Sequence, residues 1–169
     1  MIAKISGVTY NPPRTTGQTT AYTSSTAERV VNSVMIPGGS LLSSYSVQIG
    51  IDSRVIKSGA NGTVTVRIRI GTVANTSQTL VATYTSTSAS HTFVPIMRRL
   101  AILNITNSTY SLTGTTSLSW DFASPSTGWE NITTIDWASD QYIIITTQCV
   151  SVSDTIYCPY IITDFMSAK

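Results

Sequence analysis

The chain's one histidine, His91, is the first place to look for acid–base chemistry. A Ser-His-Asp relay needs an acid behind the imidazole and an exposed nucleophile in front of it. His91 follows a Ser/Thr stretch, Ser86–Ser90, and no Gly-x-Ser-x-Gly elbow occurs in the chain. Four carboxylates, Asp121, Glu130, Asp136 and Asp140, fall close together in sequence. Glycoside hydrolysis needs two carboxyl groups about 5–10 Å apart. These four carry no recognisable spacing, and each serves equally well as a turn cap or a surface charge. Cys149 and Cys158 are the only cysteines. They admit two states: a disulfide across a hairpin with Asp154 in its turn, or two buried thiols packing as small hydrophobes. Two Cys and a distant His do not make a four-ligand zinc set. The expectation is a protein without enzymatic activity, metal or cofactor.

Binding chemistry is better represented. Residues 118–142 hold all three tryptophans, Trp120, Trp129 and Trp137, together with Tyr142, Asp136 and Asp140. Aromatic faces beside carboxylates suit a sugar, or anchor a protein interface. Trp120 is in phase with Leu118 and Phe122 and reads as a core residue. Trp129 follows the loop Ser124-Pro125-Ser126-Thr127-Gly128, where an exposed indole calls for a covering partner. Trp129, Trp137, Tyr142, Asp136 and Asp140 are therefore the candidate ligand or subunit contacts. Arg98 and Arg99, the only basic doublet, precede an apolar strand and are candidates for a subunit interface or for plain surface charge.

The elements that would carry these residues are strands. Only 11% of the 169 residues are charged, against about 25% in a typical soluble domain. Hydroxyls take their place, with 24 Ser and 28 Thr, and Thr favours strands while Ser favours turns. The net charge of +2 with no basic stripe sets nucleic acid aside. No run of about 20 apolar residues spans a membrane, and the N-terminus has no signal-peptide pattern.

Val47, Ile49, Ile51 and Val55 alternate with polar residues, and so do Val64, Val66, Ile68 and Ile70. That period of two predicts half-buried strands. Centring a turn on Gly59-Ala60 predicts a hairpin that sets Ile51 beside Ile68, Ile49 beside Ile70 and Asp52 beside Arg67. Further strands are predicted over Arg29–Ile36, Thr79–Thr85, Thr92–Ile96, Arg99–Ile105, Ser117–Phe122, Ile132–Trp137, Tyr142–Val150 and Thr155–Thr163. No stretch has a 3.6-residue period. The fold class is all-β, an antiparallel β-sandwich of jelly-roll type. Residues 26–169 form the single sandwich domain. Residues 1–25, with the polar, proline-containing run Tyr10-Asn11-Pro12-Pro13-Arg14, read as an extended N-terminal arm. Tyr10, Pro12, Pro13 and Arg14 are its candidate attachment residues.

Residues 36–103 carry a familiar succession. Ile36-Pro37-Gly38-Gly39 ends a strand, and Lys57-Ser58-Gly59-Ala60-Asn61-Gly62 turns between two more. Val66-Arg67-Ile68-Arg69-Ile70-Gly71 and Thr79-Leu80-Val81-Ala82-Thr83-Tyr84 follow, and Met97-Arg98-Arg99 leads into Leu100-Ala101-Ile102. This resembles the fibre and receptor-binding head domains of tailed bacteriophages. The resemblance spans roughly 70 residues and is one of pattern, with no active-site signature. It implies a virion component made in the host cytoplasm, a β-sandwich that associates as a homotrimer. The arm would then reach other virion proteins, and a host surface glycan is a further implied partner. Two other classes compete: a carbohydrate-binding module using the 118–142 aromatics, and a polysaccharide-degrading fibre enzyme.

Overall fold

A computed structural model describes residues 14–16, 26–40, 47–86, 88–90, 93–103, 108–111 and 130–167. Among them the chain forms eleven strands and no helix. These are β1 (Arg14–Thr16), β2 (Arg29–Ile36), β3 (Val47–Ser58), β4 (Val64–Gly71), β5 (Thr79–Thr85) and β6 (Phe93–Leu103), then β7 (Ser108–Ser111), β8 (Glu130–Thr134), β9 (Gln141–Cys149), β10 (Thr155–Tyr157) and β11 (Tyr160–Ser167). One sheet runs β1-β11-β3-β6-β7-β8, with β10 also paired to β3; the other runs β2-β9-β4-β5. Every pairing is antiparallel.

Setting aside β7, β8 and β10, eight strands remain. Numbered one to eight along the chain, they pair as 1-8-3-6 in one sheet and 2-7-4-5 in the other. That interleaving is the double Greek key of a jelly roll. Both sheets feed one apolar layer. Ile49, Ile51, Val55, Ile96 and Ile161 enter it from the larger sheet; Val34, Val66, Ile68, Ile70, Ile143 and Ile145 enter from the smaller. β9 is central to the smaller sheet and is covered on both faces, since the out-of-phase Ile144 and Thr146 are also buried.

The predicted hairpin between β3 and β4 does not form. β3 lies between β6 and β11, and β4 lies between β5 and β9, so the two strands belong to different sheets. Ile51 opposes Arg98 and Thr163, and Ile68 opposes Ala82 and Ile145. The Asp52–Arg67 cross-strand pair is absent, and Arg67 meets Glu28 instead. An alternating strand buries one face whether its neighbour lies beside it or across the core, so periodicity does not separate the two arrangements. The connection 59–63 is a corner between sheets, with Gly59 at φ +87°.

Other boundaries moved for local reasons. Thr92–Ile96 and Arg99–Ile105 are one strand, β6, whose Pro95 opposes Arg54. The missing N–H is tolerated because β7 pairs only Leu100–Leu103, leaving the Pro95 stretch with a free side among the described residues. Arg98 and Arg99 thus lie within this strand rather than ahead of it. Thr155–Thr163 splits into β10 and β11. Tyr157 opposes Ile56 and Ile161 opposes Ser53, so Cys158-Pro159-Tyr160 span what Val55 and Arg54 span on β3. The one-residue excess is a bulge. It moves the buried positions from Ile156 and Cys158 to Ile161 and Thr163. Arg29–Ile36 and Thr79–Thr85 coincide with β2 and β5, while the Ser117–Phe122 strand lies outside the described residues. Within the segment read as an arm, Arg14–Thr16 add an edge strand to β11, with Arg14 opposite Ile162. Tyr10, Pro12 and Pro13 lie outside the described residues.

Because β3 and β4 are in separate sheets, a double-mutant cycle on Asp52→Ala and Arg67→Ala is expected to be additive within about 0.5 kcal/mol. Chemical denaturation of the four species measures it, and a larger coupling would restore the hairpin.

Candidate functional site

Lys57 stands at the inward phase of β3, after Ile49, Ile51, Ser53 and Val55, where a cation needs a partner. The partner is Asp154, in the turn between β9 and β10. Their side chains are 1% and 0% exposed, and Nζ lies 3.0 Å from Oδ2. Nζ also donates to Gly59 O at 2.7 Å and Ala89 O at 2.8 Å, which occupies all three of its protons. Asp154 accepts from Asn61 Nδ2 at 2.8 Å, Gly62 N at 2.9 Å and, more loosely, Asn61 N at 3.3 Å. The Cys149 thiol points at Oδ2 from 3.7 Å.

Burial pushes the Asp154 carboxyl up, but the hydrogen bonds from Asn61 and Lys57 and the two backbone amides outweigh it and hold it at about 2, below the ordinary 3.8. Burial pushes the Cys149 thiol up, and the neighbouring Asp154 charge adds to that. Side chains are excluded at two positions of the corner: a Cβ on Gly59 would lie 2.3 Å from Asp154 Oδ1, and one on Gly62 would lie 2.6 Å from Ser151 N. With its donors and acceptors matched, the cluster is a clamp. It ties the β3–β4 corner, the β9–β10 turn and the Ala89 loop at one end of the sandwich.

A second polar cluster lies on the outer face of the smaller sheet. Arg69 grips Glu28 in two-pronged fashion, Nε–Oε1 2.8 Å and Nη2–Oε2 3.1 Å. Arg67 Nη1 sits 3.3 Å from Glu28 Oε2, at ion-pair distance but without hydrogen-bond alignment, and its Nη2 reaches Gln148. Thr146 donates to Glu28 as well. Burial pushes the Glu28 carboxyl up; the Arg69 and Thr146 hydrogen bonds and the two arginine charges overcome it and leave it below the usual carboxylate range. Two guanidiniums to one carboxylate leave a local positive excess over the buried β9.

At the far end of β9, Asp136 and Asp140 act as turn caps. Asp136 accepts from Ala138 N at 3.0 Å and from the Ser139 hydroxyl at 2.8 Å, and Asp140 accepts from Gly38 N at 2.7 Å. Trp137, between them, is 1% exposed and belongs to the core. That corrects its reading as a contact residue: the strand predicted to run to Trp137 ends at Thr134, and Ile135 and Trp137, just past it, both turn into the core. Tyr142 is half-buried on β9, opposite Met35 and Gly71. Arg98 and Arg99 oppose Ile51 and Gly50 in the larger sheet. Trp120, Trp129, Asp121 and His91 lie outside the described residues; among the described ones, Asp136, Trp137 and Asp140 share one turn. The disulfide does not form; both cysteines are free and buried. Sequence reasoning missed the Lys57–Asp154 clamp, although a lysine in phase with four inward residues was its signal.

Removing the cation strands a buried carboxylate, so Lys57→Met is expected to cost about 3–5 kcal/mol, read from urea midpoints. A loss below about 1 kcal/mol would be the value of an exposed pair. Asp154 also sets an acid limit. Its folded pKa of about 2 lies below the unfolded 3.8, so its contribution is complete above about pH 4 and lost as pH falls towards 2. The expected loss is about 2 kcal/mol, absent from Asp154→Asn and measured by thermal unfolding at stepped pH.

No protein-family model matches the chain, and no curated protein matches it. Among solved structures it is similar to the CBM2 module of the evolved Dit of Lactobacillus casei BL23 phage J-1. The identity is 11% and the TM-score 0.38, over 80% of this chain and 68% of that chain. It is also similar to the cowpea mosaic virus top component, a naturally occurring empty particle. There the identity is 15% and the TM-score 0.33, over 100% of this chain and 93% of that chain. Neither likeness adds to what the strand pairing itself establishes.

Proposed function

We propose that this chain is a virion structural protein, a fibre or head-fibre subunit that works by association rather than turnover. The observation that carries the reading is the 1-8-3-6 and 2-7-4-5 strand pairing. Jelly rolls with this double Greek key serve capsid and lectin domains. The warrant is fold-level analogy, joined to the resemblance of residues 36–103 to phage fibre heads. The low charge and the 52 Ser and Thr residues suit surfaces that meet other protein surfaces. The assembly is a homotrimer, and the segment before β1, which joins the domain at a sheet edge, reaches the particle or the next virion protein. The clamp agrees with this reading: its functional groups are consumed in holding loops together, as in a part whose task is to persist.

Carbohydrate binding is the weaker reading, because the burial of Trp137 removes one of the two indoles, Trp129 and Trp137, offered as contacts. Size-exclusion chromatography with light scattering tests the proposal. A species of three times the 18.1 kDa chain mass is expected, and a clean monomer at micromolar concentration would sink it. A glycan array that stays blank leaves assembly as the role; strong binding lost in Trp129→Ala transfers the function to sugar recognition.

A further inference from the structure

The corner clamped by Asp154 contains an Asn-Gly dipeptide, Asn61-Gly62. This pair is the most prone of all to spontaneous deamidation, because glycine's missing side chain lets its backbone nitrogen swing towards the asparagine carbonyl. In that reaction Gly62 N loses its proton to solvent and attacks Asn61 Cγ. The Cγ–Nδ2 bond breaks, ammonia leaves and a succinimide forms. Water then opens the ring at either carbonyl, leaving an aspartate or an isoaspartate linkage at position 61.

Both reacting nitrogens are held by one carboxylate. The leaving group Nδ2 donates to Asp154 Oδ1 at 2.8 Å, and the attacking nitrogen of Gly62 donates to Oδ2 at 2.9 Å. Attack requires Gly62 N to turn away from Oδ2 and give up its proton. Asp154 is itself fixed by Lys57 at 3.0 Å, so it cannot follow. Gly62 is also packed against Ser151, with only 2.6 Å between the backbone nitrogen there and a Cβ position. Asn61 itself is exposed, so water has access to it.

We propose that Asn61 is a latent deamidation site whose reaction is blocked by the Asp154 carboxylate and released whenever the corner opens. The product does not fit back. An aspartate at position 61 sets a second carboxylate against Asp154 where an amide donor stood. Lys57, already saturated by three acceptors, has no proton left for it. Deamidation therefore converts a transient opening of the corner into a lasting one. The carboxyl of Asp154, held at about 2, is too weak a base to take the Gly62 proton and speed the reaction.

The test compares the intact folded chain, the same chain in urea, and a synthetic peptide covering residues 57–64, all at mildly alkaline pH. Amide-to-acid conversion at Asn61 is followed by mass spectrometry of the tryptic fragment, and isoaspartate by enzymatic methylation. The folded chain is expected to react at least about ten-fold more slowly than the other two, because the reaction waits for local opening. A rate equal to the peptide's overturns the block, and a faster one would make Asp154 a general base. Asp154→Asn, if it folds, is expected to react at nearly the peptide rate; if it does not fold, the folded-to-urea ratio of the natural chain decides. Asn61→Asp tests the second half. Lys57, Asp154 and Cys149 are the titratable groups around position 61 among the described residues. The variant is expected to unfold at lower urea than the natural chain at neutral pH and to recover on acidification. An unchanged neutral midpoint would show that the product fits back after all.

Discussion

The chain leaves one sheet at Ser58 and enters the other at Val64, and the clamp at that corner is the constraint on which the rest depends. The five intervening residues must reverse sheet, not merely direction. Two adaptations make this possible. Gly59 takes a positive φ that side chains resist, and Asp154 reaches in from the β9–β10 turn to bind the corner's amides. A buried ion pair is weak evidence for net stability, because desolvation offsets much of the attraction. Its value here is one of specificity. A lysine with three acceptors, two of them carbonyls from different loops, is satisfied in one arrangement of β3, β4 and β9 and not in a simple hairpin.

Much of the fold was legible because alternation is a strong signal. β2 and β5 fall where the apolar pattern places them, and the strand content and jelly-roll class follow from many short alternating runs without a helical period. What alternation cannot carry is which strand lies beside which. Ile51 and Ile68 satisfy the same inward rule as lateral neighbours or as residues of facing sheets, and the hairpin reading took the nearer partner in sequence. In the crossing β3 lies between β6 and β11, and β4 between β5 and β9. Boundaries failed at Pro95, where proline reads as a break but sits on a side left free among the described residues, and at Pro159, where a continuous apolar run conceals an extra residue.

The site was less legible than the fold. Asp136 and Asp140 were noticed for their proximity to tryptophan, yet their carboxylates are occupied by the Ala138, Ser139 and Gly38 groups that shape a turn. Asp154 was read as a turn residue between two cysteines, which it is; that it neutralises a lysine nearly a hundred positions earlier depends on long-range packing. Glu28 pairs with Arg69, 41 positions further on, and with the neighbouring Arg67. Charged residues are scarce in this chain, and several of them are drawn into two clusters that hold loops and sheet faces in place. The hydroxyl-rich surface left over is the one available for meeting neighbours.

The extra residue at Cys158-Pro159-Tyr160 gives the C-terminal strand its own reading frame of inside and outside. Before it, even-numbered positions face the interior; after it, odd-numbered ones do, and Ile161 and Thr163 are hidden as a result. Loss of one residue at this spot would match the two strands residue for residue, with Ile161 still opposite Ser53 and still inside. The same loss beyond Ile161 has nothing to absorb it: every later side chain of β11 would turn inside out against β3, which lies next to it at the heart of the larger sheet. The bulge is thus slack in the ladder: one residue can be taken up there without changing which side of β11 meets the core, so length is tolerated at this spot and not within the strand that follows.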